Sequence, residues 1–157
     1  MKISDRIYYV GVNDVIKELF EGLWPLPFGV SYNSYLVVDD KVALVDTVEA
    51  GFEDEFLEEI EASIGDRPID YLIVNHMEPD HSSLTAYMLE KYPSMKIVAN
   101  AKTLPMLKGY YGVSEDRVHV VGEAQTLSLG GCTLRFHMIP MVHWPETMVT
   151  YLEEENT

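Results

Sequence analysis

At 157 residues with 47% hydrophobic side chains, the chain has the length of one domain and enough apolar content to bury a core, and its composition gives no sign of disorder. Its formal charge of −15, from 26 acidic against 11 basic residues, argues against a nucleic-acid backbone or an anionic membrane surface as the main partner. Metal cations or a positively charged protein face fit that charge better. A single cysteine, Cys132, excludes an internal disulfide and any cysteine-rich zinc or iron–sulfur site, which is consistent with a reducing, cytoplasmic setting.

No signal-peptide-like apolar region follows Met1-Lys2-Ile3-Ser4-Asp5-Arg6, and no run approaches the roughly 20 apolar residues of a membrane span. In chain order, short Val-, Ile- and Tyr-rich runs predict strands at Ile7 to Val10, Tyr35 to Val38, Val42 to Val45, Tyr71 to Val74, Lys96 to Ala99 and Val118 to Val121. Asp39-Asp40 punctuates the second and third of these as a hairpin. Gly130-Gly131 does the same between Thr126 to Leu129 and Thr133 to Ile139.

Phe52, Phe56, Leu57, Ile60 and Ile64 recur near helical spacing and predict an amphipathic helix ending near Gly65, with Glu53 to Glu61 as its solvated acidic face. A second helix is predicted from Ser82 or Ser83 as N-cap, burying Leu84, Tyr87 and Met88 and stopping before Pro93. A third runs from about Ala101 to Leu107. Strands and helices therefore interleave in one layered α/β domain. The chain stops at Glu153-Glu154-Glu155-Asn156-Thr157, directly after a strand-like stretch and with no closing helix, so it is expected to be cut from something longer.

Four potential metal ligands crowd into His76-Met77-Glu78-Pro79-Asp80-His81, directly after the buried-looking strand at Tyr71 to Val74. In extended chain, residues two apart face the same way, so His76 and Glu78 can bind one ion together. Pro79 prevents a central strand from continuing and turns Asp80 and His81 elsewhere, where a second ion could sit. A His/Glu/Asp/His set without thiolate suits iron or manganese at least as well as zinc. Two ions roughly 3.5–4 Å apart can bind both ends of a diatomic molecule or hold a hydroxide against a scissile bond.

The competing reading of these four residues is a polar loop leading into a helix, with Asp80 as a cap and the histidines merely exposed. Their joint spacing after a strand weighs against it. His143 adds a fifth candidate from a distance, in a segment pinned by Pro140 and Pro145 where Trp144 could wall off solvent. His119 and His137 lie in strand patterns without carboxylate neighbours and read as structural, and Cys132 reads as a small buried residue.

The segment His76-Met77-Glu78-Pro79-Asp80-His81 resembles the His-x-His-x-Asp-His motif of the metallo-β-lactamase superfamily with its second histidine replaced by glutamate, the form typical of flavodiiron proteins. Residues 27–37, Pro-Phe-Gly-Val-Ser-Tyr-Asn-Ser-Tyr-Leu-Val, and residues 141–151, from Met141 to Tyr151, are similar to that family's other recognisable stretches. The resemblance implies the N-terminal half to two-thirds of a metallo-β-lactamase-like αββα sandwich spanning 1–157. The rest of that domain and a flavodoxin-like domain are expected after residue 157.

By the same resemblance, His76, Glu78 and His143 would bind one iron, and Asp80 and His81 the other. Family members reduce dioxygen to water or nitric oxide to nitrous oxide, with electrons from FMN in the flavodoxin-like domain and from a donor such as rubredoxin or a reduced flavin. They pair head to tail as homodimers. A bridging aspartate and a last histidine ligand would lie beyond Thr157, so the fragment alone is expected to be inactive, with five of the family's seven ligands.

Half a two-sheet sandwich is also expected to leave an inner sheet face bare and to self-associate. Two alternatives remain at this point. One is a zinc hydrolase of metallo-β-lactamase type, in which Glu78 would be an odd substitution. The other is an inactive, self-associating fragment that binds no metal.

Overall fold

The computed structural model describes residues 1–157. The chain opens with β1 (Ile7–Tyr9), β2 (Val12–Asp14), β3 (Leu19–Phe20), β4 (Trp24–Pro25) and β5 (Val30–Tyr32), then β6 (Tyr35–Val38) and β7 (Val42–Val45). The middle alternates α1 (Glu53–Ile64), β8 (Tyr71–Ile73), α2 (Pro79–Ser82), α3 (Thr85–Lys91), β9 (Lys96–Asn100), α4 (Thr103–Tyr111) and β10 (Val118–Val121). Three further strands close the chain: β11 (Thr126–Ser128), β12 (Thr133–Met138) and β13 (Met148–Leu152).

Six strands form one sheet in the order β1-β6-β7-β8-β9-β10, antiparallel from β1 to β7 and parallel from β7 to β10. The parallel part follows from the interleaved helices, since a parallel pair needs a crossover long enough to carry one. Leu44, Leu72 and Ile97 stand in register across β7, β8 and β9 and face the helices, against Phe56, Leu57, Ile60 and Ile64 of α1, Met88 of α3 and Leu107 of α4. Their neighbours Ala43, Ile73 and Val98 point the other way, onto Leu134, Phe136, Met148 and Leu152 of an antiparallel sheet ordered β11-β12-β13. Burial on both faces explains why the central strands read as continuous apolar runs instead of alternating ones.

The result is three layers, helices on a six-stranded sheet on a three-stranded sheet. Contrary to the bare inner face expected of half a sandwich, that face is covered, because β11 to β13 fold back over it. They leave a cleft of about 650 Å³ lined in part by Ile3, Ile7, Tyr35, Val37, Val45 and Leu134. No helix is long and apolar enough to cross a membrane.

The two predicted hairpins are present as β6/β7 and β11/β12. Helix α1 buries Phe56, Leu57, Ile60 and Ile64 as its spacing predicts, and Gly65 ends it in the left-handed φ region. The second helix differs. It starts at Pro79, whose missing N–H costs nothing in a first turn, and breaks before α3, whose N-cap is Leu84. Ser82 does not cap it, because its hydroxyl donates back to the carbonyls of Met77 and Glu78 at 2.9 and 3.0 Å. Helix α4 starts two residues later than expected and continues to Tyr111, ending on Gly112 at φ 65°.

Candidate metal centre

The residues just past the C-terminal end of β7 fix the segment that follows β8. Asp46, at φ 56°, accepts the Asn75 N–H on its carboxylate at 2.7 Å, and Thr47 donates both its N–H and its hydroxyl to the His81 carbonyl at 2.8 and 3.0 Å. From the second sheet, Thr150 donates to the Asn75 side chain at 2.8 Å and the Met148 N–H to its carbonyl at 3.0 Å. Residues 75–81 are thereby tied to both sheets. Burial pushes the Asp46 carboxyl up to about 7, against the pull of the Asn75 and His76 N–H groups.

The loop between β12 and β13 carries the remaining candidate. It is a compact knot: the Met141 N–H reaches the Trp144 carbonyl at 2.9 Å, and the Trp144 N–H reaches the Thr147 hydroxyl at 3.2 Å. Met141 and His143 sit at φ 65° and 85°, which non-glycine residues adopt only at a cost. From this loop the His143 ring meets Glu78. Trp144 packs on the helix-side core and edge-on to the His76 ring at 5.1 Å, so the indole walls one side of the site.

Four of the five predicted residues lie on one short segment and the fifth arrives from this loop. His76, Glu78 and His143 converge, with donor atoms all within 4.8 Å of one another. Glu78 is the hub, its Oε2 lying 3.1 Å from His76 Nε2 and 2.5 Å from His143 Nε2. Burial would raise the Glu78 carboxyl, but the hydrogen bonds to His143 and His76 outweigh it and hold the group below its ordinary range.

Asp80 and His81 stand beside this trio, with the His81 ring 6.0 Å from that of His76. Burial raises the Asp80 carboxyl and lowers the His81 imidazole, in each case against their mutual attraction, so both are pushed towards their neutral forms. Asp80 Oδ1 and His81 Nδ1 are buried without a hydrogen-bond partner. Buried polar atoms rarely stay unpartnered, and a carboxylate oxygen and a ring nitrogen left unpaired beside an imidazole–carboxylate cluster are ligand atoms that a cation would satisfy. The residues present fit a metal centre.

Sequence reading missed Glu146. It is 1% exposed, and its Oε1 accepts from His76 Nδ1 at 2.9 Å and from the Met77 N–H at 3.1 Å. The available signal was an acidic residue in a Pro-flanked apolar stretch three positions after His143. Asp46 was likewise missed, although an aspartate ending an apolar strand is a visible cue.

His119 is exposed on β10. His137 does have a carboxylate partner, Glu123 at 3.0 Å, brought by the turn before β11, so the expectation of none fails through tertiary pairing. Cys132 is buried, and burial with the Asp39 contact pushes its thiol up to about 12.

Fold and donor set together define a metallo-β-lactamase-like domain. A sequence model for the ODP family beta lactamase matches residues 30–157, and the chain belongs to that family. It is 39% identical over 156 residues to flavo-diiron protein FprA2 of Clostridium acetobutylicum, covering 99% of this chain and 39% of that one. It is 36% identical over 154 residues to a nitric oxide reductase of Moorella thermoacetica, covering 98% and 39%. Among solved structures, the rubredoxin oxygen:oxidoreductase of Desulfovibrio gigas superposes with a TM-score of 0.93 at 35% identity, covering 99% of this chain and 39% of that one. The chain thus spans about two-fifths of the length of the relatives it matches.

Proposed function

We propose that this chain is the diiron-binding part of a flavodiiron oxidoreductase that reduces dioxygen to water, nitric oxide to nitrous oxide, or both. The observation that carries the reading is Glu78. A carboxylate at the hub of two imidazoles is a harder donor set than three histidines and favours iron over the zinc of a hydrolase. The names of the relatives, a nitric oxide reductase and a rubredoxin oxygen:oxidoreductase, support both substrates.

In this reading His76, Glu78 and His143 hold one iron, and Asp80 and His81 hold the second. When bound, the irons supply electrons to a diatomic substrate. The chain's own residues do the rest. Glu78 orients both imidazoles, Trp144 covers the His76 ring from solvent, and Asp46 with Thr47 keeps Asn75 to His81 from shifting.

The bridging aspartate, a last histidine and a flavodoxin-like domain carrying FMN belong to the longer natural chain. That chain forms a cytoplasmic head-to-tail homodimer fed by rubredoxin or a reduced flavin, and residues 1–157 alone are inactive. Metal and flavin analysis of the natural protein, with Mössbauer spectra and anaerobic consumption of dioxygen and nitric oxide, tests the reading. Iron, FMN and consumption of either gas are expected, whereas zinc without flavin and no consumption would sink it.

A further inference from the structure

We infer that Glu146 is a positioning residue that sets the tautomer and orientation of His76, so that Nε2 alone faces the metal; this rests on the metal-binding reading above. His76 lies between two carboxylates, Glu146 on Nδ1 at 2.9 Å and Glu78 on Nε2 at 3.1 Å. These contacts differ in kind. Glu78 also meets His143 in the donor cluster, so a bound cation takes up the Nε2 side, while Glu146 stands away from the cluster and keeps Nδ1–H. A carboxylate accepting the second ring N–H of a ligating histidine fixes which nitrogen is free and makes it more basic.

Glu146 is built to hold still. Its carbonyl accepts from Asn100 Nδ2 at 2.5 Å, and Asn100 Oδ1 in turn accepts the N–H groups of Lys102 and Thr103 at 2.9 and 3.2 Å as α4 begins. Its side chain receives only His76 Nδ1 and the Met77 N–H, and Oε2 is buried without a partner. No lysine or arginine balances this carboxylate. A buried carboxylate with so few donors is costly unless positive charge sits nearby, and a cation reached through the imidazole supplies that charge. The loop that contributes His143 therefore also steers His76, three residues later.

The test is anaerobic Fe(II) titration of the natural full-length protein, wild type against Glu146→Ala and Glu146→Gln, each also in a His76→Ala background. Glu146→Ala is expected to weaken Fe(II) binding about 100-fold and Glu146→Gln, which keeps the shape and an acceptor oxygen, about 10-fold. With His76 removed, neither should matter by more than about twofold. Long-range ¹⁵N NMR of the zinc-loaded wild type should place the His76 proton on Nδ1, and Glu146→Ala should lose that single tautomer.

Equal losses in both backgrounds would reduce Glu146 to a packing role, and unchanged Fe(II) affinity in Glu146→Gln with an unchanged tautomer would overturn the inference. If Glu146→Ala fails to fold, Glu146→Gln carries the comparison. A wild type that binds no Fe(II) would overturn the metal-binding reading as well, so the two failures are distinguishable.

Discussion

The two segments that meet at His76 hold their donors by opposite means. Residues 75–82 are ordered from within and from β7: Pro79 opens α2, Ser82 ties back to Met77 and Glu78, and Asp46 and Thr47 clamp the ends, so His76 and Glu78 are only 8% and 6% exposed. Residues 139–147 are ordered by strain and a knot of turn bonds, and the His143 side chain remains 58% exposed. A buried donor with several restraints is already placed before a ligand arrives. An exposed one on a strained loop is held mainly by the contact it makes.

The largest expected effect breaks this asymmetry at its hub. Glu78→Ala should lower Fe(II) affinity by more than the roughly 100-fold upper range for losing a supporting partner, and His143→Ala by distinctly less. Equal losses in metal titrations would mean that burial does not rank the donors. Next, Trp144→Ala removes a half-buried indole that packs on the core and on His76, and should cost about 2 kcal/mol in urea unfolding of the metal-free protein, below the ~3–5 kcal/mol of a fully buried aromatic. A loss under about 0.5 kcal/mol would show that the loop is not anchored through its indole.

Asp46 offers a pH test of the clamp. Its folded-state value is raised from 3.8 to about 7, so the folded state binds the proton more tightly than the unfolded one. The stability it contributes is full below about 3.8 and is lost as pH rises through about 7. Melting temperatures of the metal-free protein should therefore fall less between pH 5 and pH 8 in Asp46→Asn than in wild type, and parallel curves would refute the assignment. The smallest effect is Met141→Gly. Relief at φ 65° is offset by the freedom glycine adds to the unfolded chain, so thermal melts should show a gain of no more than about 1 kcal/mol. A clear loss would contradict the strain.

Much of this was written locally. The central strands announce themselves as apolar runs because both faces of the sheet are covered, and Asp39-Asp40 and Gly130-Gly131 mark real hairpins. The β2 to β5 region was not legible, since strands of two or three residues, with Trp24 exposed in one and Leu23 and Phe28 exposed between them, give neither alternation nor a helical period. The break between α2 and α3 was missed because Ser82 looks like a cap and instead spends its hydroxyl on the preceding turn.

By itself the sequence determined the donor types, their density in His76 to His81, and a thiolate-free set that suits iron or manganese at least as well as zinc, because side-chain chemistry and two-residue spacing are properties of the chain. Only the tertiary structure decided which of those donors converge. His143 reaches Glu78 from 65 residues away, Glu146 reaches His76 from 70, and Asp46 reaches Asn75 from 29. Such contacts depend on how β7 and β8 end beside the start of β13, a geometry set by sheet order and layer packing that no local pattern encodes.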